Sequence, residues 1–182
     1  MGKAYPEALV ELWAEDEMRL GLKPVMRRVW APKGQRPTAK IKRRYEWLYV
    51  YGFVRPSTGE VHWLILPTVS AKVFSLALSH FAREVGAGEH KHIVLVLDKA
   101  GRHMGGEVEL PQGIHLEFLP SHSPELQPAE RLWPLTNEAV ANRLFENLDE
   151  LEETLIKRCV ALCEQAELIR DHTNYHWWPD AA

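Results

Sequence analysis

Three acids far apart in the chain, Asp16, Asp98 and Glu130, stand at positions from which side chains can reach a common point. Asp16 lies in LVELWAED, which reads as a strand with the aspartate near its end. Asp98 follows HIVLVL, a β-branched and leucine run without polar alternation, as expected of a strand buried on both faces. Glu130 lies in SPELQPAERLW, two residues past Pro128. One reading of that glutamate is purely helical: Pro128 takes the first position, where a missing N–H costs nothing, and Glu130 complements the positive end of the helix dipole. The other brings it to the two aspartates, which lie side by side if the first and fourth strands are neighbours. Three crowded carboxylates repel unless cations neutralise them, so such a cluster suits hard divalent ions. Mg²⁺ fits best, because it accepts a few carboxylates and retains waters. A pair of such ions roughly 3.5–4 Å apart stabilises both the attacking and leaving oxygens of a phosphodiester displacement. Spacing alone does not choose, since 25 Asp and Glu residues offer many triples.

The elements that must position these acids can be read in order. After the first strand, YEWLYVYGFV and EVHWLILPTV are aromatic and β-branched and are separated by RPSTG, a hairpin signal. Ser70 reads as the N-cap of a helix with Val73, Phe74, Ala77, Leu78 and Phe81 at helical spacing, ending at Gly86. The strand before Asp98 and a shorter one in IHLEFLP follow, and SPELQPAERLW then starts a helix. A final long helix is expected over about 148–171, with Asn147 as N-cap and Glu150 completing a capping-box pattern. A hairpin followed by a helical crossover into a buried strand predicts an α/β fold, a mixed sheet covered by helices. In such sheets ligands gather at strand ends, where Asp98 lies.

The chain has 182 residues and is 46% hydrophobic, enough for a single domain with a real core over 1–182. Its longest aliphatic run, IVLVL, is far too short to cross a membrane, and the acidic N-terminus is unlike a signal peptide. A soluble protein of the bacterial cytoplasm is expected. Cys159 and Cys163, four apart in a helical stretch, are expected to be buried thiols rather than a redox pair. Net charge is −3, yet residues 23–44 hold nine of the 22 Lys and Arg and no acid. This segment, bearing Pro24, Pro32, Gly34 and Pro37, reads either as a phosphate-contacting loop or as a solvated one. In the first case Lys33, Arg36, Lys40, Lys42, Arg43 and Arg44 are the candidate DNA contacts.

The segments WAEDE, RVWAPKGQRP, VLVLDKAGRH and FLPSHSPELQPAERLW, in this order and spacing, resemble the catalytic domain of DDE transposases of the mariner superfamily, in its bacterial insertion-sequence branch. The resemblance spans roughly residues 9–145. It implies a ribonuclease-H-like mixed sheet flanked by helices and an Asp, Asp, Glu triad at Asp16, Asp98 and Glu130. It further implies Mg²⁺ or Mn²⁺, two ions, and a DNA endonuclease and strand-transfer activity. As partners it implies DNA, a homodimer in the active complex, and a clamp-like role for the basic loop, with Trp30 either its apolar anchor or packed on its own domain. Two departures stand out: Lys99 follows the second aspartate where the family commonly has Asn, and Gln127, Pro128 and Ala129 precede Glu130 where it commonly has Asn-Pro-Ile. Lys99 is read either as pairing with a carboxylate or a phosphate or as weakening the metal site, and His103, which matches a histidine in the family's second motif, either as orienting a phosphate or the nearby carboxylate or as an ordinary polar residue after a strand. Only 15 residues precede Asp16, so a separate or fused upstream segment is expected to read DNA sequence.

Other readings stay open. A domain keeping this fold while binding DNA or a partner without cutting is the main alternative, and a structure-directed nuclease is another. Zinc at His90 with His92, or at His172 with His176, lacks a completing cysteine cluster. Strand alternation turns Glu15 and Glu17 away from Asp16, where solvation is expected.

Overall fold

Alternating residues from Leu9 onward build the central strand of a five-stranded sheet in a computed structural model that describes residues 7–35, 38, 44–99, 108–121 and 123–179. The strands are β1 (Leu9–Gly21), β2 (Trp47–Arg55), β3 (Glu60–Leu66), β4 (Lys91–Leu97) and β5 (Ile114–Phe118), in the order β3-β2-β1-β4-β5. The β1–β2 and β2–β3 pairs are antiparallel, whereas β1–β4 and β4–β5 are parallel. The expected mixed sheet is therefore present, with the first and fourth strands adjacent.

Among the described residues, four α-helices cover it: α1 (Ala71–Val85), α2 (Leu132–Asn137), α3 (Leu148–Cys163) and α4 (Ala166–Thr173). The α1 boundaries follow the sequence signals. The Ser70 side chain accepts from the Val73 N–H, and Gly86 closes the helix at φ 70°. Its Phe74, Ala77, Leu78 and Phe81 pack against Trp13, Tyr51, Phe53, Ile93 and Leu95 on one sheet face. The opposite face, carrying Ala14, Val50, Val54 and Val96, packs against Leu132, Trp133 and Leu135 of α2, Leu151, Leu155 and Leu162 of α3, and Ile169 of α4. Because side chains alternate along β1, Trp13 belongs to the first face and Ala14 and Asp16 to the second.

Several expectations are corrected. Asp16 is not near the end of its strand: β1 loses β4 after Ala14 but stays paired with β2 as far as Gly21. The long C-terminal helix is two helices broken at Glu164 and Gln165. SPELQPAERLW begins with two 3₁₀ turns, Pro124–Leu126 and Pro128–Arg131, before α2. Cys159 is buried, but Cys163 is exposed. Asn147 accepts from the Glu150 N–H as expected of an N-cap, while the Glu150 carboxylate reaches back to the N–H of Glu146. Among the described residues, no helix is long and apolar enough to cross a membrane.

Candidate active site

Asp16, Asp98 and Glu130 line one cleft of about 300 Å³, together with Lys99, Leu119, Pro120, Ser121, Ser123, Pro124 and Gln127. Each acid arrives by a different route. Asp16 sits where β1 parts from β4, so the sheet opens beside it. Asp98 is the first residue past β4, and the β1–β4 register carried two residues on sets it across from Asp16. Glu130 belongs to the second 3₁₀ turn, which Pro128 opens. The remaining wall is the chain leaving β5, where the Leu119 N–H still bonds the Leu97 carbonyl at 2.9 Å before turning through Pro120 and Ser121.

The acids differ in setting. Asp16 is only 9% exposed, whereas Asp98 and Glu130 face solvent at the cleft mouth. Burial pushes the Asp16 carboxyl up from 3.8 to about 7; the Trp133 indole N–H and the backbone N–H of Glu17 oppose the rise, and the negative charges of Glu130 and Glu17 add to it. Glu130 is also raised, by burial first and then by the charge of Asp98. The charge of Glu130 thus makes ionisation of Asp16 harder, and that of Asp98 does the same to Glu130, the condition a cation relieves. The donor chemistry fits a hard divalent ion. Among the described residues, however, no group of three or more His, Cys, Asp and Glu side chains is arranged to hold one as it stands.

The 3₁₀ segment is fastened to β1 on both sides of this point. The buried Gln127 side chain donates to the Glu15 carbonyl at 2.8 Å, and Trp133 Nε1 donates to Asp16 Oδ2 at 2.7 Å. Neither contact was anticipated from sequence, although both residues lie in the motif that carries Glu130. Glu15 does point away from Asp16, but it is fully buried rather than solvated, because α1 covers that face; Glu17 is half-buried.

Of the other candidates, Lys99 lines the cleft. His103, Arg36, Lys40, Lys42 and Arg43 lie outside the described residues. Lys33 is exposed, and Arg44 Nη1 donates to the Glu146 carbonyl at 3.0 Å. Trp30 is fully exposed and does not pack on its own domain. The base of the basic segment is pinned by Asn142, whose Oδ1 accepts from the Arg27 N–H at 3.0 Å and whose Nδ2 donates to the Arg27 carbonyl. Of the histidines suggested for zinc, His92 bonds His115 at 2.8 Å, and His172 Nδ1 lies 2.9 Å from the Leu168 carbonyl.

Uncharacterized protein y4pE/y4sA of Sinorhizobium fredii is 36% identical over 106 residues, covering 58% of this chain and 77% of that protein. The fold is similar to that of the mariner Mos1 transposase in a paired-end complex with Mg (TM-score 0.60, 17% identity, 90% of this chain and 53% of that one). A pre-cleavage Mos1 transpososome gives the same TM-score at 15% identity, covering 97% of this chain and 59% of that one. The chain thus spans little more than half the length of these transposase chains, and the architecture shared with them is ribonuclease-H-like. Residues 11–152, which include all three acids, match the DDE superfamily endonuclease family, and the chain belongs to that family.

Proposed function

We infer that this chain is the catalytic domain of an insertion-sequence transposase that cuts DNA and joins the cut end to a target. The observation that carries this reading is the convergence of Asp16, Asp98 and Glu130, from three separate elements, on one cleft where the charge of Glu130 opposes ionisation of Asp16 and that of Asp98 opposes ionisation of Glu130. Asp16, Asp98 and Glu130 would hold Mg²⁺ or Mn²⁺, two ions, whose charge would stabilise the attacking and departing oxygens at phosphorus. In the first step a water oxygen bonds to phosphorus and the P–O3′ bond breaks, leaving a 3′-hydroxyl and a 5′-phosphate. In the second, that hydroxyl attacks a target phosphodiester and displaces its 3′ oxygen. Lys99, in the cleft wall, offers its ammonium to a phosphate oxygen. Lys33, Arg36, Lys40, Lys42, Arg43 and Arg44 supply contacts to DNA phosphates that are indifferent to base sequence. DNA and a second copy of the chain are the proposed partners.

A second reading, a domain that binds DNA without cutting it, is favoured by one observation: the described side chains are not arranged to hold a metal ion. One experiment separates the two. Element-end and supercoiled DNA are incubated with the chain and Mg²⁺ or Mn²⁺, and nicked and joined products are quantified. Nicking is expected, and Asp16→Asn, Asp98→Asn and Glu130→Gln should each reduce it by more than about 100-fold, beyond the 10- to 100-fold typical of groups that only support metal ligands. Undiminished cutting by any one variant would remove that residue from the site. Binding without nicking by the unaltered chain would select the second reading, and nicking without joining would leave a nuclease.

A further inference from the structure

We propose that Trp133 is a positioning residue for the metal site: its indole N–H fixes the Asp16 carboxylate in one orientation, engaging Oδ2 and leaving Oδ1 to face the cation. The proposal rests on the reading of Asp16 as a metal ligand and adds a residue that touches neither DNA nor ion.

Three features of the fold carry it. The contact is short and sheltered, Nε1 to Oδ2 at 2.7 Å with Trp133 only 7% exposed, so water does not compete for the hydrogen bond. The indole also has a place made for it. Gly52 on β2 pairs directly with Asp16, and a Cβ added there would come within 3.0 Å of both the Trp133 ring and Leu132. A Cβ at position 52 would make the ring give by a few tenths of an ångström, so the glycine lets the indole pack close against the strand. Finally, Trp133 is the second residue of the helix that follows Glu130, and the segment leading to it is tied to β1 one residue before Asp16 by the Gln127 bond to the Glu15 carbonyl. Asp16 and the backbone bearing Glu130 are therefore held as one unit by contacts from residues on either side of Glu130.

The consequence is that the Asp16 carboxylate is oriented before any ion arrives. Orientation of a ligand by a neighbouring donor normally shows as metal affinity, since an unbraced carboxylate must be ordered when the ion binds.

The test is a double-mutant cycle on Mn²⁺ binding, measured by calorimetry on the full chain without DNA. Trp133→Phe keeps the ring bulk and deletes the donor. If Trp133 acts through Asp16, this substitution weakens Mn²⁺ binding about 10- to 100-fold in the unaltered background and causes no comparable further loss when Asp16→Asn is already present. Equal losses in both backgrounds, or none in either, would overturn the proposal. Because a substitution in the core can impair folding, a second measurement leaves Trp133 intact: the indole ¹H–¹⁵N resonance of Trp133 should move on Asp16→Asn and again on Mg²⁺ addition to the unaltered chain. A resonance indifferent to Asp16→Asn would refute the contact. Absence of Asp16-dependent Mn²⁺ binding in the unaltered chain would instead overturn the metal-site reading and this inference with it. Retained Asp16-dependent binding with no effect of Trp133→Phe would overturn this inference alone.

Discussion

Among the buried carboxylates of strand β1, Glu11 and Asp16 lie on opposite faces, Glu11 near the start of the strand and Asp16 midway along it, and nearly everything about them matches except the charge beside them. Both are less than 10% exposed. Both accept an indole N–H, Glu11 from Trp13 at 3.0 Å and Asp16 from Trp133 at 2.7 Å. Glu11 Oε1, however, lies 3.0 Å from Arg55 Nη1 and 3.0 Å from Lys91 Nζ, so the ends of β2 and β4 supply cations to it. Burial pushes the Glu11 carboxyl up, but the Trp13 bond and the two cations outweigh it and hold the group below the usual range. At Asp16 the neighbouring charges are Glu130 and Glu17, and the carboxyl rises to about 7. Glu11 is thus part of a completed ionic clamp. Asp16 is a carboxylate whose compensating charge the described side chains do not supply. Burial and an indole hydrogen bond are common to both; the sign of the surrounding charge separates them.

The contrast breaks most visibly at Glu11. Glu11→Gln keeps an acceptor for Trp13 but strands Arg55 and Lys91 beside a neutral amide, and should destabilise the chain by about 3 kcal/mol, the low end for a broken buried pair because both cations are partly exposed. Denaturant titration at pH 7.5 reads this directly. A loss under about 1 kcal/mol would mean that the clamp is only a surface pair.

The matching substitution at Asp16 should have the opposite sign. A carboxyl raised from 3.8 to about 7 keeps its proton in the folded chain over a pH range where the unfolded chain has released it. Stability therefore falls as pH rises through that window, and the penalty is complete above pH 7. A shift of about three units corresponds to roughly 4 kcal/mol at 1.36 kcal/mol per unit. Asp16→Asn avoids the charge but still buries a polar amide, so about 2 kcal/mol of added stability is expected at pH 8 without metal, and almost none at pH 4. Equal effects at the two pH values would locate the gain in packing rather than charge.

How much of this contrast was legible in the sequence follows from how local its causes are. The strands, the Ser70 and Gly86 helix ends and the neighbouring positions of Asp16 and Asp98 depend on short-range periodicity, capping and the connection rules of mixed sheets, and all three could be read. The break between α3 and α4 could not, because Glu164 and Gln165 include neither Gly nor Pro. It falls where the Gly59 turn of the β2–β3 hairpin meets the start of α4: a Cβ on Gly59 would lie 1.8 Å from the Ala166 carbonyl oxygen. That contact joins residues about a hundred positions apart. The burial of Glu15 and the reach of Trp133 to Asp16 are equally non-local, although Gly52 amid YVYGFV was a visible sign that something approaches the strand closely. What the basic segment's charge could not convey is its path, and most of the cations nominated there lie outside the described residues.

The smallest expected effect sharpens the comparison most, because it asks whether a cation from solution does at Asp16 what Arg55 and Lys91 do at Glu11. An ion that binds only the folded chain adds RT ln(1 + [L]/Kd), about 1.4 kcal/mol at ten times its Kd. For a domain of this size that corresponds to a rise in melting temperature of about 3–5 °C. The rise should be present at pH 8 and fade below pH 7, where the ion must displace a proton from Asp16. Glu11→Gln should melt at a lower temperature yet show the same increment with Mg²⁺, since its own cations belong to the chain. Asp16→Asn should begin higher and gain nothing. Scanning calorimetry of the three proteins with and without Mg²⁺ at both pH values checks this pattern, and an equal Mg²⁺ increment in Asp16→Asn would place the ion away from the cleft.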